Sequence, residues 1–290
     1  MRISPSELIL NPDGSIYHLN LRQEDIATTI ITVGDPSRVE QVSQHFDTIR
    51  SRKEKREFRC HTGRIGQREL SVLSTGIGPD NIDIAINELD ALFNIDLEQR
   101  QAKSKHTQLD FIRIGTSGAV NPAIPIDSFV ASAYGIGLDN LMDFYHYRPT
   151  LQEAELTDEL KLFMQHTSKL PFYACQGSPE LLNTIGRVMQ QGITLTSPGF
   201  YGPQGRQLRL QPRFGQEAFF RLAAFEYKGC PISNFEMETS AIYGLCRLLG
   251  HRALSANAII ANRSAGQFSQ APKATVQRLI QQVLSRLEFN

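Results

Sequence analysis

Residues 230–249 read CPISNFEMETSAIYGLCRLL. Cys230-Pro-Ile-Ser-Asn234 has the character of a strand, and Ala241, Ile242, Leu245, Cys246, Leu248 and Leu249 recur at the spacing of one helical face. Glu236 and Glu238 therefore put two carboxylates where a strand hands over to a buried helix. An acid there can cap the helix by accepting its free amide protons. It also stands at a strand end, where α/β proteins build their binding loops.

The strand-then-helix rhythm runs along the whole chain. Thr29–Val33, Leu70–Ser74, Phe111–Ile114, Ser128–Ser132, Ile193–Thr196 and Leu254–Ala261 have the character of strands. Amphipathic helices are expected near 37–46, 80–94, 155–168, 216–227, 237–249 and 274–288, the last carrying Val276, Leu279, Ile280, Val283, Leu284 and Leu287 on one stripe. This alternation predicts one α/β domain over residues 1–290: a three-layer α/β/α sandwich with a mixed, mostly parallel central sheet. The polar stretch 96–108 interrupts the rhythm without ending it and is expected to be an exposed loop or a helix extension.

With 41% hydrophobic and 21% charged residues, the 290-residue chain can bury a sizeable core. Thirty basic and thirty acidic residues cancel, so no nucleic acid or anionic membrane is expected as a partner. No apolar run approaches the roughly 18 residues a membrane helix needs. The N-terminal apolar patch is too short and interrupted for a signal peptide. Cys60, Cys175, Cys230 and Cys246 form no CxxC pair, which predicts reduced thiols, a cytoplasmic location and no metal site.

Four strand ends gather polar residues. Gly34-Asp-Pro-Ser-Arg38 leads from a strand into a helix, where a glycine, a helix N-terminus and a guanidinium suit an oxyanion. It lacks the glycine spacing of a dinucleotide site or a P-loop. Ser74-Thr-Gly-Ile-Gly-Pro-Asp80 is a second glycine-rich turn. In Arg113-Ile-Gly-Thr-Ser-Gly118 an arginine interrupts an apolar strand, which is costly unless an anion or a carboxylate pairs with it. Both partners stay open at this point. Glu236 and Glu238 complete the set, and a ligand with a negative end and hydroxyls, such as phosphate with ribose, would suit it.

These segments, with Asn262-Arg263, follow the order and rough spacing of the nucleoside phosphorylase superfamily, and the chain most resembles its uridine phosphorylases. The decisive stretch is Phe200-Tyr-Gly-Pro-Gln-Gly-Arg206, similar to the Phe-x-x-x-Gln-x-Arg segment with which those enzymes recognise uracil. A carboxamide offers one donor and one acceptor to a uracil edge, and a guanidinium donates to the remaining carbonyl. Related purine phosphorylases and nucleosidases carry an aspartate where this chain has Asn262-Arg263, so another nucleoside phosphorylase or a nucleosidase is the second reading.

The resemblance implies reversible phosphorolysis of uridine to uracil and α-D-ribose 1-phosphate, with inorganic phosphate as co-substrate and no cofactor. It assigns phosphate to Gly34, Arg38, Arg113 and Thr116, with Arg56 reaching in from a neighbouring subunit. Ribose falls to Met237, Glu238 and, across the subunit boundary, His18. The base falls to Ser117, Gly118, Phe200, Gln204, Arg206, Glu236 and Arg263, with Glu236 expected to pair with Arg206. Catalysis rests on Arg113, Gln204, Arg206 and Glu238. A homo-oligomer is implied, a dimer at the least and up to a hexamer. Some relatives hold a monovalent cation with the glutamate corresponding to Glu57 and a serine, at whose position Asn81 stands here.

Overall fold

In the computed structural model, residues 2–165, 171–213 and 215–288 are described. The strands are β1 (Thr29–Val33), β2 (Thr48–Lys55), β3 (Phe58–Ile65), β4 (Arg68–Ser74), β5 (Ile95–Asp96), β6 (Gln101–Ala102) and β7 (Asp110–Ala119). They continue as β8 (Phe129–Gly137), β9 (Tyr173–Gln176), β10 (Gln190–Thr196), β11 (Glu226–Tyr227), β12 (Cys230–Glu236), β13 (Arg252–Asn262) and β14 (Gln267–Phe268). The α-helices are α1 (Pro36–Ser43), α2 (Pro79–Asn94), α3 (Leu151–Met164), α4 (Pro179–Thr184), α5 (Gln216–Ala223), α6 (Thr239–Leu248) and α7 (Pro272–Glu288).

A 12-stranded mixed sheet runs β11-β12-β10-β8-β13-β7-β1-β4-β3-β2, with β9 on β8 and β14 on β13. Parallel pairing joins β4, β1, β7 and β13 in one block and β8, β10 and β12 in another. Antiparallel pairing is found at the β2–β3–β4 arm, at the β13–β8 seam and where β12 meets β7 through Asn234↔Ala119 and Phe235↔Gly118. That last contact curls half the sheet into a closed ring of β7, β13, β8, β10 and β12. Closure removes edges that would otherwise be free to pair.

Strand alternation sorts the apolar residues onto two faces. Ile31, Val33, Ile112, Ile114, Leu254 and Ala258 pack with Val39 of α1, Leu181 of α4 and Leu279, Ile280 and Val283 of α7. Ile30, Phe111 and Ala253 face the other way, onto Ile82, Ala85 and Leu89 of α2 and Ile242 and Leu245 of α6. Outside the ring, Ile136, Leu195 and Ile232 pack against Leu156 and Leu160 of α3 and Leu222 of α5. Within it, Ser132, Thr194, Asn234 and Asn257, each with no exposed surface, meet in a hydrogen-bonded ladder.

The α/β sandwich with a mixed sheet is as the alternation predicts, and each of the six anticipated strands forms. Helix α3 starts earlier than expected because Thr150 and Glu153 form a reciprocal capping box, and the remainder of the expected helix, 166–168, lies outside the described residues. The β2–β3 arm escaped notice because TIRSRKEK carries its charges on a half-exposed edge, where no apolar period is needed. The polar stretch after α2 is a short hairpin, β5–β6, with β6 exposed.

The antiparallel β13–β8 seam is only three residue pairs long, and Tyr243 of α6 extends it. Its buried hydroxyl donates to the Ser132 carbonyl at 2.7 Å and accepts from the Ser255 amide at 2.8 Å. Tyr243→Phe strands both backbone groups, which should cost about 1–3 kcal/mol. Urea denaturation should show a lower midpoint with an unchanged slope.

Candidate active site

The centre of the site is Arg113, on the α2/α6 side of β7 and almost fully buried. Its Nη2 lies 2.5 Å from Glu238 Oε2 and 3.1 Å from Glu236 Oε2. Its Nη1 donates to Asn257 Oδ1 at 2.8 Å. The register puts Ser255 and Asn257 of β13 beside Arg113 and Gly115 of β7, so period-two placement brings the partners together. Gly115 is required for room: a Cβ there would lie 1.8 Å from Arg113 Nη1. The salt bridge that the sequence left open is therefore present, and it is made by the acids of the opening stretch.

Glu236 is held at the foot of α6. It accepts from Thr196 Oγ1 at 2.7 Å, from the Glu238 amide at 2.9 Å and from the Thr239 amide at 3.0 Å. It caps the helix and counters Arg113. The expected pairing of Glu236 with Arg206 does not occur, because Arg206 belongs to a different loop and donates to the Phe200 carbonyl and the Gln204 side chain. Glu238 Oε1 accepts from the Gly78 amide at 2.9 Å, which ties the second glycine-rich turn to the site. Burial pushes the Glu238 carboxyl above its ordinary 4.5, against the pull of Arg113, and Glu236 adds to the rise.

A cleft of about 540 Å³ opens over these groups. It is lined by Gly34, Arg38, Arg113, Thr116, Ser117, Gly118, Phe200, Gln204, Arg206, Glu236, Met237 and Glu238; Arg38 sits near Arg113 and Glu238 at one end, and Phe200, Gln204 and Arg206 cluster at the other. Arg38 donates to the Ile114 carbonyl at 3.3 Å, and among the described residues no carboxylate pairs with it. Burial, then the nearby charge of Arg113, lowers its hold on its proton, against the pull of Asp35 and Glu238. The N-terminus of α1 contributes less than the sequence implied: Asp35 caps it, accepting from the Ser37 amide at 2.8 Å.

At the far end the Arg206 guanidinium stacks 3.8 Å from the centroid of Phe200. Gln204 is 2% exposed; its backbone carbonyl accepts from Arg263 Nη1 and its side-chain oxygen from Arg206 Nη1. Arg263 does not line this cleft; it stacks on Phe219 at 4.0 Å and lines an adjoining pocket with Arg206. Burial, with Arg206 adding, pushes Arg263 down to about 10, so it remains charged at neutral pH. Two guanidiniums without an acid partner among the described residues make this end a receptor for negative charge. Asn257 and Ser255, both missed in the sequence, were legible as polar positions alternating with Leu254, Ala256 and Ala258.

Arg56 and His18 do not line the cleft. Arg56 is exposed at the two-residue turn between β2 and β3, and its guanidinium lies 5.9 Å from the ring centroid of Tyr17, the neighbour of His18. His18 Nδ1 lies 2.6 Å from Glu88 Oε1. Glu57 and Asn81 crowd over Gly76, whose Cβ would lie 2.4 Å from Asn81 Nδ2 and 3.1 Å from Glu57 Cγ. Elsewhere Asp90, His106 and His251 offer ligand atoms within 4.8 Å of one another. The Leu109 amide donates to His251 Nδ1 at 3.2 Å, so Nε2 carries the ring proton and has no lone pair for a metal.

A family model described as the phosphorylase superfamily matches residues 28–287. The chain is 30% identical over 259 residues to a uridine phosphorylase of Thermococcus kodakarensis, covering 89% of this chain and 82% of that one. It is 26% identical over 258 residues to the uridine phosphorylase of Escherichia coli, covering 88% and 89%. A Trypanosoma brucei nucleoside phosphorylase structure, described as showing uridine phosphorylase activity, superposes with a TM-score of 0.86 at 27% identity, covering 98% of this chain and all of that one.

Two substitutions test the charge cluster. Gly115→Ala should displace the Arg113 guanidinium from its carboxylates and destabilise the protein by about 3–5 kcal/mol in chemical denaturation. Glu238→Gln should do the opposite at neutral pH. The folded protein holds the Glu238 proton more tightly than the unfolded chain does, so ionisation weighs against the fold above the raised pKa. The penalty fades as pH falls through that pKa toward the unfolded value. Melting curves should show the variant more stable than wild type at neutral pH and level with it near pH 4.5.

Proposed function

The chain belongs to the phosphorylase superfamily, and from that membership we propose that it is a uridine phosphorylase, converting uridine and phosphate reversibly to uracil and α-D-ribose 1-phosphate. The observation that carries this reading is one cleft with an unpaired guanidinium, Arg38, at one end and the Gln204–Arg206 pair at the other. Phosphate would sit against Arg38, Gly34 and Thr116, with Arg113 behind. Ribose would lie over Met237, its hydroxyls on Glu238. Uracil would meet Gln204 and Arg206, with Phe200, Ser117 and Gly118 around it.

The chemistry follows from where charge develops. As the glycosidic bond lengthens, C1′ becomes cation-like and uracil gains negative charge. Phosphate and Glu238 stabilise the first, Arg206 and Gln204 the second, and Arg263 holds Gln204 in place by its backbone carbonyl. Phosphate is itself the nucleophile, so the protein's contribution is positioning and preorganised electrostatics. Each donor aimed at the departing base is worth about 3 kcal/mol.

Arg56 and His18 each neighbour Tyr17, outside the cleft of their own chain, as residues donated to a second subunit would. The active unit in this reading is a homodimer or a hexamer built from dimers. A monovalent ion held by the Glu57 carboxylate would belong to the same interface, with Asn81 standing where those relatives place a serine. All four cysteines are free thiols, which fits a cytoplasmic enzyme, and no helix among the described residues is long and apolar enough to cross a membrane.

Uridine should be cleaved only when phosphate is present, with ribose 1-phosphate as product; free ribose would identify a hydrolase instead. Arg206→Ala should lower kcat/KM for uridine by about 10²–10³. Arg38→Ala should raise the KM for phosphate about tenfold or more while leaving the fold intact, because Arg38 has no acid partner to strand. An unchanged phosphate requirement in that variant would remove the anion site.

A further inference from the structure

The polar side chains that meet across the ring form a chain of hydrogen bonds whose direction is set by its first member. A guanidinium only donates. Arg113 Nη1 donates to Asn257 Oδ1 at 2.8 Å, which turns the amide so that Asn257 Nδ2 donates to Ser132 Oγ at 3.3 Å. Ser132 Oγ lies 2.6 Å from Thr194 Oγ1, and the Thr194 proton is committed to Asn234 Oδ1 at 3.0 Å. Ser132 is therefore the donor between them. Asn234 Oδ1 also faces the Ser233 hydroxyl at 2.6 Å, which leaves Asn234 Nδ2 to donate to Ser117 Oγ at 2.9 Å.

Each link points the same way, from the anion end of the site to the base end. Ser132, Thr194, Asn234 and Asn257 have 0% exposure and Ser117 has 6%, so no bulk water competes for the links. The Ser117 oxygen already accepts from Asn234. Among the described residues no acceptor takes its single proton, and Ser117 lines the cleft.

We infer that this relay fixes Ser117 as a hydrogen-bond donor into the base pocket, with Asn234 as its positioning residue, so that the pocket selects a base presenting a carbonyl oxygen there. An amino group at that place would meet a donor with a donor. With Asn257 Nδ2 donating to Ser132, the Thr194 oxygen is the acceptor left for the Ser132 proton among the described residues, and aligned bonds polarise one another toward the pocket. The inference rests on the nucleoside reading above and adds to it the origin of one element of base specificity.

The test uses uridine, 2-thiouridine and 4-thiouridine with phosphate, because a thiocarbonyl is a poor acceptor. Wild type should discriminate against one of the two thio analogues, and Ser117→Ala should lose about tenfold in kcat/KM on uridine together with that discrimination. Ser117→Thr should restore both. Asn234→Asp, which can only accept and so draws the Ser117 proton out of the pocket, should behave like Ser117→Ala, and the double variant should be no worse than either. Thr194→Val, which removes the hydroxyl orienting the Asn234 amide, reads the same link if Asn234→Asp does not fold. A Ser117→Ala enzyme that keeps the uridine kcat/KM and the thio ratios of wild type overturns the inference while leaving the functional reading standing. Absence of phosphate-dependent uridine cleavage in wild type overturns both.

Discussion

The buried pairing of Arg113 with Glu236 and Glu238 is the interaction on which the rest of the site depends. A guanidinium in an apolar strand would be too costly to bury alone. Here the end of β12 and the start of α6 bring two acids within 3.1 Å of it, and Asn257 and Gly115 supply an acceptor and space. Two carboxylates share one guanidinium, and Glu238 also takes the Gly78 amide. Arg38 stands close enough to feel Arg113 and Glu238, and it carries the free positive charge of the anion end.

The closed ring of strands makes this arrangement rigid. In an open sheet β7 and β12 would lie far apart, on either side of β13, β8 and β10. The antiparallel contact through Asn234 and Phe235 brings them together, which places the Arg113 and Ser117 strand beside the Glu236 strand. Ring closure also gives the interior polar residues partners on facing strands. That is why Ser132, Thr194, Asn234 and Asn257 can be buried without leaving their hydrogen-bonding groups unpaired. Positioning the reactants is most of what phosphorolysis asks of a protein, and a strand framework fixed on both sides suits it.

Electrostatically the cleft has a positive region at each end and an acid in the middle. In the proposed reading the ends would meet phosphate and the departing base, and the middle a sugar whose anomeric carbon becomes cation-like. The two ends differ in construction. At the anion end the charge of Arg113 is neutralised by acids, whereas at the base end Arg206 and Arg263 have only aromatic rings and carbonyls around them. In that reading, charge appearing on the base would meet donors that are not already committed to a carboxylate.

Local pattern was enough to read the alternation of strands and helices, the apolar faces and the strand ends where glycines, arginines and acids collect, because each of these repeats over a few neighbouring residues. The grouping of Phe200, Gln204 and Arg206 was legible for the same reason, their mutual contacts lying within seven consecutive residues. Which acid met which arginine was not. Glu236 lies 123 positions beyond Arg113 in the chain, and the β12–β7 closure decides that it serves Arg113 and the α6 amides in place of Arg206. The removal of Arg56 and His18 from their own chain's cleft, the capping of α1 by Asp35 and the direction of the hydrogen bonds through the ring likewise belong to the tertiary structure. They depend on distances between segments far apart in sequence, and no local periodicity carries that information.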